Sequence, residues 1–99
     1  MYFTYLLRCK DDSLYCGYTN DIVHRMELHK AGKGAKYVRA KGFHKLEFYI
    51  VSNTKSDAMK FEVYIKKLSK LEKEKLVRGE CNSLDRLGIY YQLVLSTRI

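Results

Sequence analysis

The sequence predicts an α+β domain, a small three-stranded antiparallel or mixed sheet flanked by helices. Three observations carry this. An apolar, aromatic run at the start is followed by a polar turn and a second short apolar run, the pattern of a β-hairpin. A third apolar run, His44–Val51, stands apart from that hairpin behind a polar, glycine-containing stretch. After it, Ala58, Phe61, Ile65 and Leu68 recur at three and four, the period of a helix with one buried face.

The elements follow in order. Tyr2–Arg8 is aromatic and aliphatic and reads as a strand. Cys9–Ser13 contains KDDS, a turn, and Leu14–Tyr18 is the returning strand, so Tyr5 and Tyr15 fall on neighbouring strands. Thr19 or Asn20 is a candidate cap for a helix starting near Asp21, which AGKG at Ala31–Gly34 ends. Ala35–Ala40 is a short helical piece. His44–Val51 is the third strand, and Ser52–Thr54 is loop and cap. Helices are expected over Lys55–Leu68 and from a Ser69 cap through Val77, with Glu72 completing a capping box and Gly79 closing it. Ser83–Arg86 reads as a turn. Leu87–Leu95 (LGIYYQLVL) fits either a fourth, edge strand or a helix packed across the domain.

Ninety-nine residues support one hydrophobic core and exclude two. Lys and Arg number 19 against 11 Asp and Glu, a net charge of +8, which suggests a polyanionic partner. Cys9, Cys16 and Cys81 are too few and scattered for a disulfide scaffold or zinc knuckle. They point to a reducing compartment, read as the cytoplasm. Cys16 is expected beside the hairpin core, and Cys9 and Cys81 are read as inert. The first apolar run is too short for a secretory signal, and no stretch approaches the ~20 apolar residues of a membrane span. Lys33, Lys36, Arg39 and Lys41 cluster within nine residues as a basic segment. The lysines between Lys55 and Lys75 read as a solvated helical face or an added basic patch, and His24 and His44 as structural.

An ordered set of motifs resembles the GIY-YIG nuclease superfamily, in particular its small stand-alone bacterial members. Phe3-Thr4-Tyr5 stands where the first signature would be, retaining only its tyrosine, and Tyr15-Cys16-Gly17 matches Tyr-Ile-Gly. Arg25 and His29 lie at matching positions on the following helix, GKGAKYVRAKG at Gly32–Gly42 is similar to the small-domain branch, and Glu62 matches a metal-binding glutamate. The likeness covers about residues 1–78. It implies a nuclease domain over 1–78, with 79–99 as a C-terminal extension packed on the same domain.

The resemblance also implies a phosphodiester-cleaving site of Tyr5, Tyr15, Arg25, His29 and Glu62. Glu62 would hold one divalent cation, Mg²⁺ or Mn²⁺, for which a single protein carboxylate is ordinary. Arg25 brings a fixed positive fork suited to phosphate. His29 is one helical turn later and suited to orienting water or moving a proton. A phenol's pKa near 10 makes it a poor base until a neighbouring cation depresses it. Tyr5 is read as base and Tyr15 as phosphate contact, with the reverse order open. Gly17 is expected to permit close backbone approach. Lys33, Lys36, Arg39 and Lys41 would hold duplex or branched DNA by its phosphates, with structure-guided or weak sequence preference; RNA is not excluded by charge.

Two departures motivate a second reading, a nucleic-acid-binding module of weak or no activity. Phe3-Thr4 replaces Gly-Ile, and KKLSKLEKEK lacks the late asparagine of several members. A third reading is a structural interaction protein whose terminal segment forms the edge of a homo-oligomer.

Overall fold

The hairpin forms from β1 (Tyr2–Cys9) and β2 (Leu14–Thr19), with Tyr5 opposite Gly17 and Leu7 opposite Tyr15. Its turn places Asp12 at φ 73°, a left-handed conformation that aspartate tolerates, and Cys9 N donates to Ser13 O at 2.8 Å. The structure, a computed structural model, describes residues 1–80 and 82–96. Cys81 therefore lies outside the described residues, as do 97–99 of the terminal extension.

β3 (Phe43–Ser52) pairs antiparallel with β1 on its other side, and β4 (Gln92–Leu95) pairs antiparallel with β3. The sheet is thus four-stranded and antiparallel throughout, in the order β2-β1-β3-β4. This corrects the expected three strands and resolves Leu87–Leu95: only its last four residues, Gln92–Leu95, are strand. An apolar run cannot by itself choose between edge strand and helix; pairing with Val51–Phe48 does.

β1 is covered on both faces, and Thr4–Leu7 are all buried. One face gathers Leu6, Cys16, Phe48 and Ile50 with Phe61 and Ile65 of α3 (Lys55–Lys66) and Leu76 of α4 (Lys70–Val77). The other gathers Tyr5, Leu7 and Leu46 with Ile22 and Met26 of α1 (Ile22–Lys30) and Val38 of α2 (Lys36–Lys41). Leu46 and Phe48 face opposite sides because the β1–β3 register shifts between Leu6 and Leu7, leaving Glu47 as the extra residue. Glu47 is buried there and takes Arg8 Nε at 2.6 Å, while Arg8 also grips Glu74 of α4 with two bonds of 2.8 and 2.7 Å.

The caps follow the sequence with one correction. Neither Thr19 nor Asn20 caps α1; Asp21 does, accepting from His24 N at 3.0 Å, while Thr19 Oγ1 accepts from Asp21 N. Thr54 caps α3, and Ser69 and Glu72 form the expected capping box. α3 stops at Lys66, short of Leu68, which still packs on the core. A 3₁₀ turn over Asn82–Leu87 buries Leu84 in the α3-side core, and Tyr91 meets Phe61 edge-on at 5.3 Å. Cys9 and Cys16 are buried free thiols. His24 and His44, expected to be structural, are both exposed. Among the described residues, no helix is long and apolar enough to cross a membrane.

Candidate active site

The site is built around the pair Tyr5 and Gly17, directly opposite across β1 and β2. The Tyr5 phenol lies over Gly17: a Cβ there would stand 2.6 Å from its Oη and 2.8 Å from its Cζ. Absence of a side chain on the edge strand is what admits the ring. Tyr5 is only 2% exposed, and its Oη shares a hydrogen bond of 2.9 Å with His29 Nε2.

His29 sits in the last turn of α1 and is itself 2% exposed. Phe43 stacks on its ring at 6.4 Å, nearly parallel at 6°. Gly34 covers Nδ1 so closely that a Cβ there would meet it at 2.3 Å, and Nδ1 finds no hydrogen-bond partner among the described residues. Burial, assisted by the Arg25 charge, pushes the His29 pKa down to about 4, so the ring is neutral at pH 7. Burial chiefly, then the neighbouring Tyr15, holds the Tyr5 phenol well above its ordinary range, with Arg25 opposing. The resting pair is therefore a neutral phenol bonded to a neutral imidazole.

Tyr15 joins from the same face of β2. Its half-buried ring lies 6.4 Å from Tyr5 and 6.0 Å from His29, and Tyr37 of α2 stacks on it at 5.8 Å and 21°. Burial raises the Tyr15 pKa, with Lys66 opposing and Glu62 reinforcing. Glu62 and Lys66 are one turn apart on α3. Lys66 Nζ lies 3.6 Å from Glu62 Oε2 and 5.8 Å from the centre of the Tyr15 ring. Arg25, half-buried on α1, acts electrostatically on Tyr5, Tyr15 and His29. Tyr5, Tyr15, Arg25, His29 and Glu62 are thus gathered around β2, an edge strand with α1 on one face of the sheet and α3 on the other.

The basic segment sits beside this group. Lys33, Lys36, Arg39 and Lys41 are exposed on the α1–α2 loop and α2. Lys41 pairs with Asp11 at 3.5 Å and lies 6.0 Å from the Tyr37 ring. Lys66, grouped by sequence with the α3–α4 lysines, is exposed as expected and also lies against Glu62 and the Tyr15 ring. Sequence reasoning also missed Tyr37, Phe43 and Gly34. A glycine in a loop one turn beyond a histidine was the available signal for Gly34.

Among the described residues, no three His, Cys, Asp or Glu side chains cluster to hold a metal. The donor set nonetheless fits a hard divalent cation. Glu62 is a carboxylate with its side chain 19% exposed, and Mg²⁺ ordinarily keeps water and phosphate oxygens as its other ligands.

Comparison with known proteins identifies the family of the chain. The model of the GIY-YIG catalytic domain matches residues 1–75. A UPF0213 protein of Oceanobacillus iheyensis is 46% identical over 76 residues, covering 77% of this chain and 88% of that protein. UPF0213 protein YazA of Bacillus subtilis is 43% identical over 88 residues, covering 89% of each. A UPF0213 protein from Bacillus halodurans, solved in solution by NMR, is similar with a TM-score of 0.53 and 39% identity, covering 88% of this chain and 94% of that one. On sequence, fold and the matched motifs together, the chain belongs to the GIY-YIG catalytic-domain family, among its small bacterial UPF0213 relatives.

Proposed function

We propose that this protein is a metal-dependent endonuclease that hydrolyses phosphodiester bonds in DNA, guided by structure or weak sequence preference. The observation that carries the reading is the Tyr5–His29 hydrogen bond of 2.9 Å beside Arg25, Tyr15 and Glu62. Family membership supports a nuclease and a nucleic-acid substrate.

Arg25 binds the phosphate and offsets the charge that develops on its oxygens. Tyr15 contacts the same phosphate. Tyr5 takes a proton from the attacking water as its own proton passes to His29 Nε2. An anionic phosphate brought in by Arg25 favours the protonated imidazole, which burial disfavours in the free protein. Glu62 would hold Mg²⁺ or Mn²⁺, whose chemistry is to polarise the phosphate and stabilise the leaving 3′ oxygen. Hydrolysis leaves 3′-hydroxyl and 5′-phosphate ends. Lys33, Lys36 and Arg39 position the nucleic acid by its backbone. Leu84, Leu87, Ile89, Tyr91 and Leu93 of the C-terminal extension pack on the α3-side core of the same domain.

The test is nicking of supercoiled, forked and flap DNA with Mg²⁺ and Mn²⁺, comparing wild type, Arg25→Ala and Glu62→Ala. Both substitutions should abolish cutting; cutting that survives both overturns the site. One observation favours a second reading, a binding module without cleavage: Lys66 stands 3.6 Å from the carboxylate a cation would use. DNA binding without metal-dependent cutting by the wild type would establish it.

A further inference from the structure

Arg25 faces a second feature besides the tyrosine–histidine pair. A cleft of about 450 Å³ opens beside it, lined by Tyr2, Tyr18, Thr19, Asn20, Arg25 and Lys55. That volume lies within the range of small-ligand sites, about 300–1,000 Å³. None of the lining side chains is a carboxylate. Two are cations, two are phenols, and Asn20 supplies both a donor and an acceptor.

The register explains how the phenols come together. Tyr18 pairs with Thr4, and Tyr2 is two residues before Thr4 on the same strand, so all three side chains share a face. That face is the α3 side, because Thr4 Oγ1 donates to Ala58 O of α3 at 2.9 Å. Tyr2 and Tyr18 are therefore diagonal cross-strand neighbours, about 7–8 Å apart and within reach of each other's aromatic side chains. Lys55, the first residue of α3, and Arg25, from α1, bring positive charge to the same opening.

We propose that this cleft is a nucleotide subsite, which takes the base and sugar adjoining the phosphate held by Arg25. Tyr2 and Tyr18 stack on the base, Asn20 meets its polar edge, and Lys55 binds the next phosphate along the strand. A flat aromatic ring carrying an anion is the ligand that two phenols and two cations recognise together; a bare anion would leave the phenols unused. The inference rests on the phosphodiester reading of Arg25 and deepens it. It assigns a side: the strand runs from Arg25 toward Tyr18 and the start of α3.

The test uses metal-free protein and fluorescent probes, so nothing is cut. 2-Aminopurine is placed on the 5′ side or the 3′ side of the single phosphodiester in a dinucleotide; its free 5′-monophosphate and inorganic phosphate serve as comparisons. Stacking quenches the base. The wild type should quench one dinucleotide and spare the other, and bind it more tightly than the mononucleotide or phosphate. Tyr18→Leu and Tyr2→Leu should each weaken that binding about 5- to 150-fold, the range for losing one stacking partner. Tyr18→Phe keeps the ring and should stay within about twofold, which separates stacking from damage to the fold. Equal quenching of both dinucleotides, mononucleotide binding as tight as the dinucleotide's, or full quenching by Tyr2→Leu and Tyr18→Leu overturns the subsite. A wild type that binds one dinucleotide asymmetrically yet cuts no DNA overturns the nuclease reading and leaves the subsite standing.

Discussion

Tyr5 Oη and His29 Nε2 lie 2.9 Å apart, both side chains buried, one from the central strand and one from the end of α1. In the proposed mechanism the phenol's proton passes across this bond to the imidazole once a phosphate is bound. Breaking it should therefore affect rate more than stability. Tyr5→Phe should lower the single-turnover cleavage rate about 10²- to 10⁴-fold, the usual contribution of a positioned acid or base. The measurement is that rate beside a DNA-binding titration; a rate within threefold of wild type removes Tyr5 from the chemistry.

The buried neutral His29 also sets a pH dependence of stability. Its pKa is about 4 folded and near 6.5 unfolded, so between these values the unfolded chain binds more protons. Stability contributed by the neutral ring is complete above about pH 6.5 and is lost as pH falls toward 4. The whole shift corresponds to about 3 kcal/mol. Urea denaturation at pH 7 and 5 should show a steeper loss for the wild type than for His29→Gln, which cannot titrate. Parallel losses would refute this.

Gly17→Ala tests the close approach directly. Its Cβ would stand 2.6 Å from Tyr5 Oη, so the phenol must leave its present position, in which it bonds to His29. Overpacking of this kind costs about 1–3 kcal/mol. Cleavage should fall further than that destabilisation explains, and Tyr5→Phe combined with Gly17→Ala should lose little more activity than Tyr5→Phe alone. Additive losses in the double variant would show that Gly17 acts elsewhere.

Glu62 is read as the cation ligand with Lys66 as its resting counter-charge. Mn²⁺ should broaden NMR signals around Glu62 in the wild type and leave them sharp in Glu62→Gln. Lys66→Ala should reduce the Mn²⁺ concentration for half-broadening several-fold, because the carboxylate loses its partner at 3.6 Å. Unchanged broadening in Glu62→Gln places the cation elsewhere.

Away from the site, Arg8 ties β1 to the β3 bulge and to α4. Its side chain is 11% exposed and Glu47's is 9% exposed, so Arg8→Ala leaves a buried carboxylate without its main partner. Removing one member of a buried pair costs about 3–5 kcal/mol. Denaturant unfolding should show this loss, and amide exchange should accelerate most in Lys70–Val77, the helix that Glu74 anchors. A loss under 1 kcal/mol would mean that Lys45, 3.9 Å from Glu47, suffices.

Local chemistry made much of this molecule readable. The KDDS turn, the Ser69–Glu72 capping box, the three-and-four spacing of Ala58, Phe61 and Ile65, and the ordered Tyr5, Tyr15, Gly17, Arg25, His29 and Glu62 all depend on near neighbours or on motif order. β4 was legible only as an apolar run, because an edge strand is defined by its partner. Asp21 displaced Thr19 and Asn20 as the cap because the chain leaves β2 one residue later than pattern alone implies. The partners of the site were the least legible. Tyr37 reaches Tyr15, Phe43 reaches His29, and Lys66 reaches Glu62 and Tyr15 only after β-pairing and helix packing bring them together.

The sequence by itself determined the α+β class, the hairpin, the helices and the types of group available for phosphate chemistry, since these follow from periodicity, turn residues and motif order. Tertiary structure alone decided the fourth strand, the face that Tyr2 and Tyr18 share, and the neutral state of His29. Each of these depends on pairing register or on burial, which arise between segments distant along the chain.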